Sequence, residues 1–528
     1  MAIIVSQIET PLKANKDEII SVAMRKIGLT KADIVSAEIH KTSLDARKQN
    51  NIKFVNSVYF ELKSPVLEDK LCTAEKNCSH LIAEEFSPIL GKNKLDGRIV
   101  IAGFGPAGMF AALTLAEFGY KPMVFERGSE VDQRVKKVNS FWQGSELDTE
   151  CNVQFGEGGA GTFSDGKLTT RIKDPLCNHI LKKFVEFGAP QEILTKAKPH
   201  IGTDNLRSIV KNIRSRILEL GGEIRFNSPI TDISIKNGEV IGVSSNGTDI
   251  QTQNLIIAIG HSARDTFEML LKKDVFIEPK AFSVGARIEH TQESVNKSLY
   301  GKYYDNPVLP KGEYQLSHRR GNRCVYTFCM CPGGYVVPSA SEEDTVVTNG
   351  MSEFSRDQIN ANSALVVSVS PEDYGNGALD GMNFARNIER KAYELGGRSY
   401  KAPAVSVGSF LDGGEEIKSD SVIPSYSIGV APTNFDDLFP KFIADMMREG
   451  LRVFSRNMQC FGEKSALLTG PETRTSSPVR ITRGENAQSI NIKNLYPCGE
   501  GAGYAGGIMS AAVDGIKIAL KITENFAP

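Results

Sequence analysis

Short apolar runs alternate with longer helical patterns in the middle of the chain. Residues 98–102 (RIVIA) are apolar, residues 103–108 (GFGPAG) are rich in glycine, and residues 109–116 (MFAALTLA) favour a helix. A second apolar run follows at residues 121–125. Short buried strands that alternate with helices are typical of a parallel α/β sheet, so this segment is predicted to fold as strand, tight turn, helix and strand.

The same alternation continues to about residue 278. Residues 205–220 repeat apolar positions with the helical period, and Gly221-Gly222 ends that helix. Asn237-Gly238 lies between two alternating segments and predicts a hairpin turn. Further strands are predicted at residues 223–226, 230–236, 240–244 and 255–260. The last of these is expected to return to the central parallel sheet, either beside a cofactor or as a strand without cofactor contact.

The first 94 residues combine one helical pattern with two strand patterns. Residues 17–27 predict a helix, and residues 34–41 and 52–62 predict strands separated by the polar segment 43–51. The simplest interpretation is a small α+β accessory domain.

From residue 279 to residue 477 strand-like segments dominate. Strands are predicted at residues 282–288, 325–329, 335–337 and 364–369, and helices at residues 382–395 and 438–456. We interpret this region as an inserted substrate domain of mixed α+β type. The predicted domains are residues 1–94 for the N-terminal domain, 95–278 and 478–528 for the two parts of the α/β core, and 279–477 for the insertion.

Length, charge and cysteine content narrow the class of protein. A chain of 528 residues exceeds the size of an ordinary single core, so several domains are expected. The 62 basic and 63 acidic residues give a net charge of -1, which does not favour nucleic acid as a partner. The sequence shows no secretory signal, and none of its apolar runs approaches the roughly 18 residues needed to cross a bilayer. We therefore expect a cytoplasmic protein with no membrane partner. The nine cysteines include no CxxC pair, which indicates reduced thiols and no metal site.

The glycine-rich turn at residues 103–108 predicts a dinucleotide site. Its glycines let the backbone approach a pyrophosphate, and the N-terminus of the following helix offers N–H groups and the positive end of its dipole. Glu126 follows the next strand, roughly 20 residues later, where a carboxylate accepts hydrogen bonds from a ribose diol and repels the 2′-phosphate of NADP. FAD or NAD is therefore expected, and the alternative is a tight turn that binds nothing.

Two other segments are also rich in glycine. Residues 496–509 (YPCGEGAGYAGGIM) lead into a predicted helix at residues 507–520 and, together with the first turn, suggest a bound flavin. Residues 155–168 (FGEGGAGTFSDGKL) hold too many glycines for regular packing unless the backbone passes close to something. We interpret this segment as a second wall of the cofactor cleft, and a mobile surface loop is the alternative.

Residues 103–108, 126–128, 158–167 and 498–508 together resemble a family of bacterial FAD-dependent dehydrogenases, which are related to the glutathione-reductase type of FAD fold. The resemblance covers the chain from about residue 96 to its end. It implies a discontinuous, Rossmann-like FAD-binding core whose last glycine-rich segment brings a helix N-terminus to the flavin.

The resemblance also implies which residues bind FAD. The turn residues would face the pyrophosphate, Glu126 the adenosine ribose, Ile230 the adenine, and the C-terminal segment the ribityl chain and flavin. The predicted cofactor-binding residues are Gly103, Gly105, Pro106, Ala107, Gly108, Glu126, Arg127, Gly158, Gly159, Thr162, Lys167, Ile230, Gly260, Gly499, Glu500, Gly506, Gly507 and Ile508.

A separate nicotinamide-binding Rossmann unit is not expected. Either NAD(P)H docks transiently at the flavin or another donor reduces the enzyme.

Three residues are candidates for catalysis. Arg474 lies shortly before the C-terminal motif, so the chain could carry it towards the flavin. Cys329 ends a strand-like run, and a thiol near flavin could act as an acid or a redox partner. His261 could donate a proton. The alternatives are structural: a buried thiol for Cys329 and a helix-start histidine for His261.

A cationic group is a further candidate for substrate recognition. His318, Arg319, Arg320 and Arg323 are close in sequence and could hold a carboxylate or phosphate. The alternative is a basic surface loop.

The sequence therefore predicts an FAD-dependent oxidoreductase, a dehydrogenase that transfers a hydride between a small organic substrate and flavin. Two other functions remain open. A flavin-dependent RNA-modifying protein would hold RNA through the N-terminal domain, where Arg47, Lys48 and Lys53 are clustered, although the near-neutral charge favours a solvated face. A non-catalytic flavin-binding sensor would change a partner interface with its redox state.

Overall fold

The computed structural model describes residues 2–81, 86, 88–418 and 420–528. The N-terminal domain is a four-stranded antiparallel sheet with two helices. Its elements are β1 (Ala2–Thr10), α1 (Lys16–Ile27), β2 (Ile34–Asp45), β3 (Lys53–Leu62), α2 (Pro65–Ala74) and β4 (Cys78–His80). The βαββαβ succession and the strand order β2-β3-β1-β4 are those of a ferredoxin-like fold.

Local sequence sets the limits of α1. The Asn15 side chain accepts a hydrogen bond from the Glu18 N–H at 3.0 Å, and Gly28 ends the helix with a φ of 70°. The predicted helix at residues 17–27 agrees with these limits. The prediction that residues 43–51 separate the two strands is wrong in part, because β2 continues to Asp45 in pairing with β3.

The central core is a five-stranded parallel sheet with helices. Its first part contains β5 (Val100–Ala102), α3 (Pro106–Glu117), β6 (Met123–Phe125), α4 (Val131–Trp142), α5 (Leu176–Glu186), α6 (Thr203–Glu219), β7 (Glu223–Arg225), β8 (Ile230–Lys236), β9 (Glu239–Ser245), β10 (Thr248–Gln251), β11 (Leu255–Ile257), α7 (Arg264–Lys272) and β12 (Ile277–Pro279). The parallel sheet has the order β23-β11-β5-β6-β7, in which β23 comes from the C-terminal part of the chain. The predicted Rossmann-like, discontinuous α/β core is confirmed.

Two local predictions in the core are confirmed. Asn237 and Gly238 have φ values of 53° and 75° and form the tight turn between β8 and β9. The return to the central sheet predicted for residues 255–260 is made by β11, which pairs in parallel with β5 and β23 but ends at Ile257, three residues earlier than predicted.

The inserted domain is built around a seven-stranded sheet. Its elements are β13 (Phe282–Thr291), α8 (Gln292–Tyr300), β14 (Ser317–Arg320), β15 (Arg323–Cys331), β16 (Tyr335–Pro338), β17 (Thr348–Met351), β18 (Asn360–Val369), α9 (Pro371–Tyr374), α10 (Asp380–Leu395), β19 (Ala402–Ser406), α11 (Val407–Leu411), β20 (Val430–Pro432), α12 (Phe435–Leu438), α13 (Lys441–Asn457) and β21 (Leu467–Glu472). The order of the large sheet is β14-β15-β18-β13-β21-β19-β20. The helix predicted at residues 438–456 is wrong at its start, because Pro440 separates α12 from α13.

The chain returns to the core through β22 (Val479–Ile481), β23 (Leu495–Pro497) and α14 (Ile508–Thr523). β12 and β22 pair antiparallel, with Pro279 opposite Val479, so the chain leaves and re-enters the core at one place. The domain boundaries given above stay predictions.

Helices α3 and α14 pack closely, which brings the two ends of the core together. A Cβ at Gly515 of α14 would lie 2.1 Å from the Ala107 carbonyl oxygen of α3. Within the first glycine turn, a Cβ at Gly108 would lie 2.0 Å from the Gly103 carbonyl oxygen. Glycine is therefore required at both positions by backbone approach.

None of the helices in the described ranges has the length and apolar character needed to cross a lipid bilayer.

Candidate cofactor and active site

One cavity of about 1460 Å³ lies at the carboxyl ends of the parallel strands. Residues that directly follow β5, β6 and β11 line it, which is the usual position of a ligand in an open α/β sheet. Gly105 and Gly507 both line this cavity, although they are distant in sequence. The two distant glycine-rich segments therefore meet at a single site.

Most of the predicted cofactor-binding residues belong to the wall of this cavity. They are Gly103, Gly105, Pro106, Ala107, Glu126, Arg127, Gly159, Lys167, Ile230, Gly260, Glu500, Gly506, Gly507 and Ile508. The three catalytic candidates, His261, Cys329 and Arg474, line the same cavity. Whether each residue contacts a bound cofactor stays a prediction.

Four residues that were predicted to bind the cofactor are not among the lining residues: Gly108, Gly158, Thr162 and Gly499. Gly108 allows the close approach described above. The Gly158 N–H donates to the Phe104 carbonyl at 2.9 Å, and the Thr162 hydroxyl donates to the Glu157 carbonyl at 3.1 Å. The Gly499 N–H donates to the Asp514 carboxylate at 2.7 Å. Through these contacts the four residues stabilise the backbone of the segments that line the cavity.

The glycines of the two motifs divide into those that the fold requires and those that it does not. Gly103 has a φ of 99°, and a Cβ there would lie 2.4 Å from the Ala258 carbonyl oxygen, so the fold requires glycine. In contrast, a Cβ at Gly105 would meet only the Gly159 backbone, at 3.7 Å or more. Gly506 and Gly507 have open space around the Cβ position.

Neither backbone strain nor packing explains the last three glycines. Gly105 has a φ of -77° and Gly507 a φ of 165°, and both are values that other residues adopt. Since Gly105 and Gly507 face one cavity, the remaining reason for a missing side chain is the close approach of a ligand. The helix N-termini of α3 and α14 begin directly after these glycines and favour negative charge such as that of a pyrophosphate. The wall therefore fits FAD.

Glu126 joins two glycine-rich segments of the cavity wall. Its carboxylate accepts hydrogen bonds from the backbone N–H groups of Phe104, Gly128 and Gly156 at 2.8–2.9 Å. It thus ties the first glycine turn to the second glycine-rich segment. A carboxylate offers about four lone-pair positions, so about one remains for a ribose hydroxyl.

Arg134 organises the second glycine-rich segment and was not identified from the sequence. Its guanidinium is fully buried and donates to five backbone carbonyls of residues 152–159, at 2.7–3.2 Å. The segment around Gly159 is therefore fixed by one side chain rather than mobile. The sequence did contain a signal, because Arg134 occupies one of the positions of the buried stripe of α4, with Val131, Val138 and Phe141.

Arg474 is part of a buried ionic cluster. Glu389 is fully buried and accepts two hydrogen bonds from Arg264 at 2.8 Å and two from Arg474 at 2.9 and 3.0 Å. Burial alone would raise the pKa of Glu389, but the two arginines outweigh burial and lower it to about 2. Arg474 therefore has a structural partner on one side and the cavity on the other, and its catalytic role stays a prediction.

His261 and Glu500 face each other at the cavity wall. The distance from His261 Nε2 to Glu500 Oε1 is 4.0 Å, and His261 Nδ1 lies 2.9 Å from the Ser262 hydroxyl. Burial, with the positive charges of Arg474 and Arg264, lowers the pKa of His261 to about 3, so this ring is neutral near pH 7. Burial raises the pKa of Glu500 to about 7, against the opposing charge of Lys280. Of these two groups, Glu500 is therefore the one that can exchange a proton near neutral pH.

The cationic group predicted for substrate recognition is not part of the cavity wall. His318 and Arg320 bind the Glu449 carboxylate at 2.8 and 2.7 Å, and Arg323 binds the Asp373 carboxylate at 2.6 Å. These side chains lie on β14, the edge strand of the large sheet, and on its neighbour β15, and they pair with acids of the inserted domain. The interpretation as a substrate anchor is not supported by their position.

A pH effect on stability is expected from Glu472, which ends β21 at the cavity. Its side chain is 4 % exposed and lies 3.5 Å from Arg287 Nη1. Burial raises the pKa of Glu472 from 4.5 to about 7, against the charge of Arg287. The native state therefore keeps a proton that the unfolded chain loses, and the stability of the wild type falls as the pH rises through this interval.

We expect the Glu472→Gln holoenzyme to gain up to about 3 kcal/mol of unfolding free energy relative to wild type as the pH rises from about 4.5 to 7. Urea unfolding at both ends of the interval measures this difference. Glu485→Gln, at an exposed position, is the control. A Glu472→Gln difference that stays constant with pH would contradict the assignment.

Comparison with known proteins agrees with the architecture. Residues 281–475 match the family described as FAD-dependent protein, C-terminal domain-like, and residues 97–292 match the pyridine nucleotide-disulphide oxidoreductase family. Residues 2–61 match a domain of unknown function. An uncharacterised protein of Clostridium beijerinckii is 47% identical over 531 residues, which span 100% of this chain and 99% of that protein.

Solved structures show a more remote likeness. L-proline dehydrogenase from P. horikoshii is 15% identical, with 82% of this chain and 94% of that chain covered and a TM-score of 0.33. Glycine oxidase from Geobacillus kaustophilus is 10% identical, with 81% and 94% covered and a TM-score of 0.35. At these scores the likeness supports no conclusion about what this chain acts on.

Proposed function

Because this chain is an FAD-dependent oxidoreductase that belongs to a family of bacterial flavoproteins, we propose that it transfers a hydride between a small organic substrate and the flavin. This proposal makes the chain a dehydrogenase whose substrate enters between the core and the inserted domain.

The proposal rests on the volume of the cavity and on its wall, which the core and the inserted domain form together. Its volume of about 1460 Å³ exceeds the roughly 300–1,000 Å³ of most small-molecule sites. The core contributes the glycine segments to the wall, and the inserted domain contributes Tyr326, Cys329 and Glu472. A dinucleotide along the glycines therefore leaves room for a second, smaller molecule.

The chain's own groups suit a reaction that moves a proton together with a hydride. When bound, FAD supplies the hydride-accepting and hydride-donating chemistry. Glu500 can give or take a proton near neutral pH because burial raises its pKa. His261 adds no positive charge, and its Nδ1 is held by the Ser262 hydroxyl, which in turn donates to Gln154 at 3.1 Å.

We also propose that NAD(P)H reaches the flavin by transient docking. The unit from β5 to β6 is assigned to FAD, and the glycine segment between β23 and α14 lines the same cavity, so it does not form a separate nicotinamide site. A nicotinamide donor would then bind in the part of the cavity that the inserted domain lines.

Anaerobic spectroscopy of the purified holoenzyme tests these proposals. We expect a yellow protein whose oxidised flavin absorbance is lost when NADH or NADPH is added separately. Dithionite serves as the control for a reducible flavin. If dithionite bleaches the flavin and neither nicotinamide does, the proposed donor is wrong. A protein that is colourless and stays colourless after incubation with FAD would contradict the proposed function as a whole.

A further inference from the structure

Strand β15 ends in two cysteines, Cys329 and Cys331, at an irregular point of the large sheet. The register of β15 against β18 shifts between Phe328 and Cys331, which is the mark of a β-bulge. Cys329 has a φ of 44°, a left-handed value that is uncommon for a residue other than glycine. Backbone conformations of this kind persist only where surrounding contacts hold them.

The bulge is held by two cations from different parts of the fold. Arg287 Nη2 of β13 donates to the Cys329 carbonyl at 3.0 Å and lies 3.7 Å from Cys331 Sγ. Lys167 donates to the Met330 carbonyl and to the Asp165 carboxylate. The segment from Cys329 to Cys331 is therefore fixed from both sides.

The two thiols are within reach of each other. Cα atoms two residues apart in a regular strand are roughly 6.6 Å apart, and the bulge bends this segment further. A disulfide needs a Cα separation of about 4.4–6.8 Å. Cys331 Sγ donates to the Cys329 carbonyl at 3.4 Å, so the second thiol lies against the backbone of the first.

The two thiols differ in exposure and in pKa. Cys329 is partly exposed and lines the cavity, whereas Cys331 is fully buried. The hydrogen bond from Cys331, together with the charges of Arg287 and Lys167, lowers the pKa of Cys329 although burial opposes this. The pKa of Cys331 is raised. Of the two thiols, Cys329 is therefore the one that ionises more readily.

Contacts connect this pair to the flavin end of the cavity. Residues 159–167 form one segment that touches both sites. A Cβ at Gly161 would lie 3.3 Å from the Ile508 side chain at the start of α14, and Lys167 of the same segment binds the Met330 carbonyl. Cys329 and Ile508 line the same cavity.

We propose that Cys329 and Cys331 are a redox-active dithiol–disulfide pair that exchanges two electrons with the FAD of the same cavity. In the oxidising direction the two S–H bonds break and one S–S bond forms. Two electrons and one proton pass to oxidised FAD, and the second proton leaves to solvent. The reverse step returns both thiols. This inference rests on FAD binding and goes beyond the proposed hydride transfer.

Reductive titration of air-oxidised holoenzyme with dithionite, followed by flavin absorbance, tests the pair. We expect the wild type to take up about two two-electron equivalents per FAD, and Cys329→Ser and Cys331→Ser to take up about one.

Cys324→Ser is the matched control. Cys324 lines the same cavity, but it lies roughly 16 Å from Cys329 along the strand, too far for a disulfide. Cys72→Ser is the second control, because Cys72 Sγ lies 3.3 Å from Cys78 Sγ in the N-terminal domain. Both controls should keep the wild-type uptake.

Thiol trapping on the wild type needs no variant. Oxidised and reduced holoenzyme are denatured in N-ethylmaleimide, and peptides are mapped by mass spectrometry. We expect Cys329 and Cys331 to be linked in the oxidised sample and both alkylated in the reduced one. A protein that holds FAD, takes up one equivalent and shows both cysteines alkylated in each sample would overturn this inference and leave the proposed function standing. A protein without FAD would instead remove the proposed function.

Discussion

Replacing Gly105 with valine is expected to weaken FAD binding by about 100-fold or more, or about 2.8 kcal/mol, while the protein remains folded. The φ of Gly105 is -77°, and a Cβ there would lie 3.7 Å from Gly159 Cα, so the fold itself has room for a Cβ atom at this position. In the holoenzyme the same side chain would occupy the space where the pyrophosphate approaches the backbone. Titration of the apoprotein with FAD, followed by flavin fluorescence, measures the effect.

The control for Gly105→Val is Gly462→Ala. Gly462 lies outside the lining of the cavity, has no left-handed φ, and a Cβ there would lie 3.4 Å from Ser455 Cβ, an ordinary contact. This variant should bind FAD like the wild type. A Gly105→Val protein that folds and keeps wild-type affinity would show that no ligand passes close to this backbone.

Arg134→Met should destabilise the protein by at least about 3 kcal/mol and also reduce FAD retention. Five backbone carbonyls of residues 152–159, four of them in buried residues, would lose a charged donor at once. Since Gly159 belongs to the cavity wall, loosening this segment should affect the cofactor as well. Thermal unfolding with and without added FAD measures both effects.

Lys136→Met is the matched control, because Lys136 lies on the exposed face of the same helix, α4. We expect a change within about 0.5 kcal/mol for this variant. If Arg134→Met were as stable as Lys136→Met, the five hydrogen bonds would have no net value, and the second glycine-rich segment would be held by other contacts.

The sequence predicted the elements of the core because local patterns determine them. The run before Gly103, the turn and the helix after it are adjacent in the chain, and the hairpin at Asn237-Gly238 follows from the left-handed preference of these two residues. The errors concern the ends of elements, which depend on contacts with other parts of the chain. β2 extends to Asp45 because β3 pairs with it, although residues 43–45 are mostly polar.

The polar interior of the site could not be predicted in the same way. Glu389 binds Arg264, 125 residues away, and Arg474, 85 residues away, and no local pattern links these positions. Arg287 reaches Cys329 across a strand of the inserted sheet. Arg134 is different, since a charged residue in the buried stripe of an amphipathic helix is visible in the sequence. A charged residue at such a position indicates a buried hydrogen-bond network.

The central claim is that two distant glycine-rich segments hold one FAD together. FAD content and affinity, measured side by side for wild type, Gly105→Val and Gly507→Val, test it most directly. We expect about one FAD per wild-type chain and a loss of affinity of about 100-fold or more in both variants, because each substitution fills space that faces the same cavity. Wild-type affinity in either folded variant would show that the corresponding segment does not contact the cofactor, and the claim would be wrong.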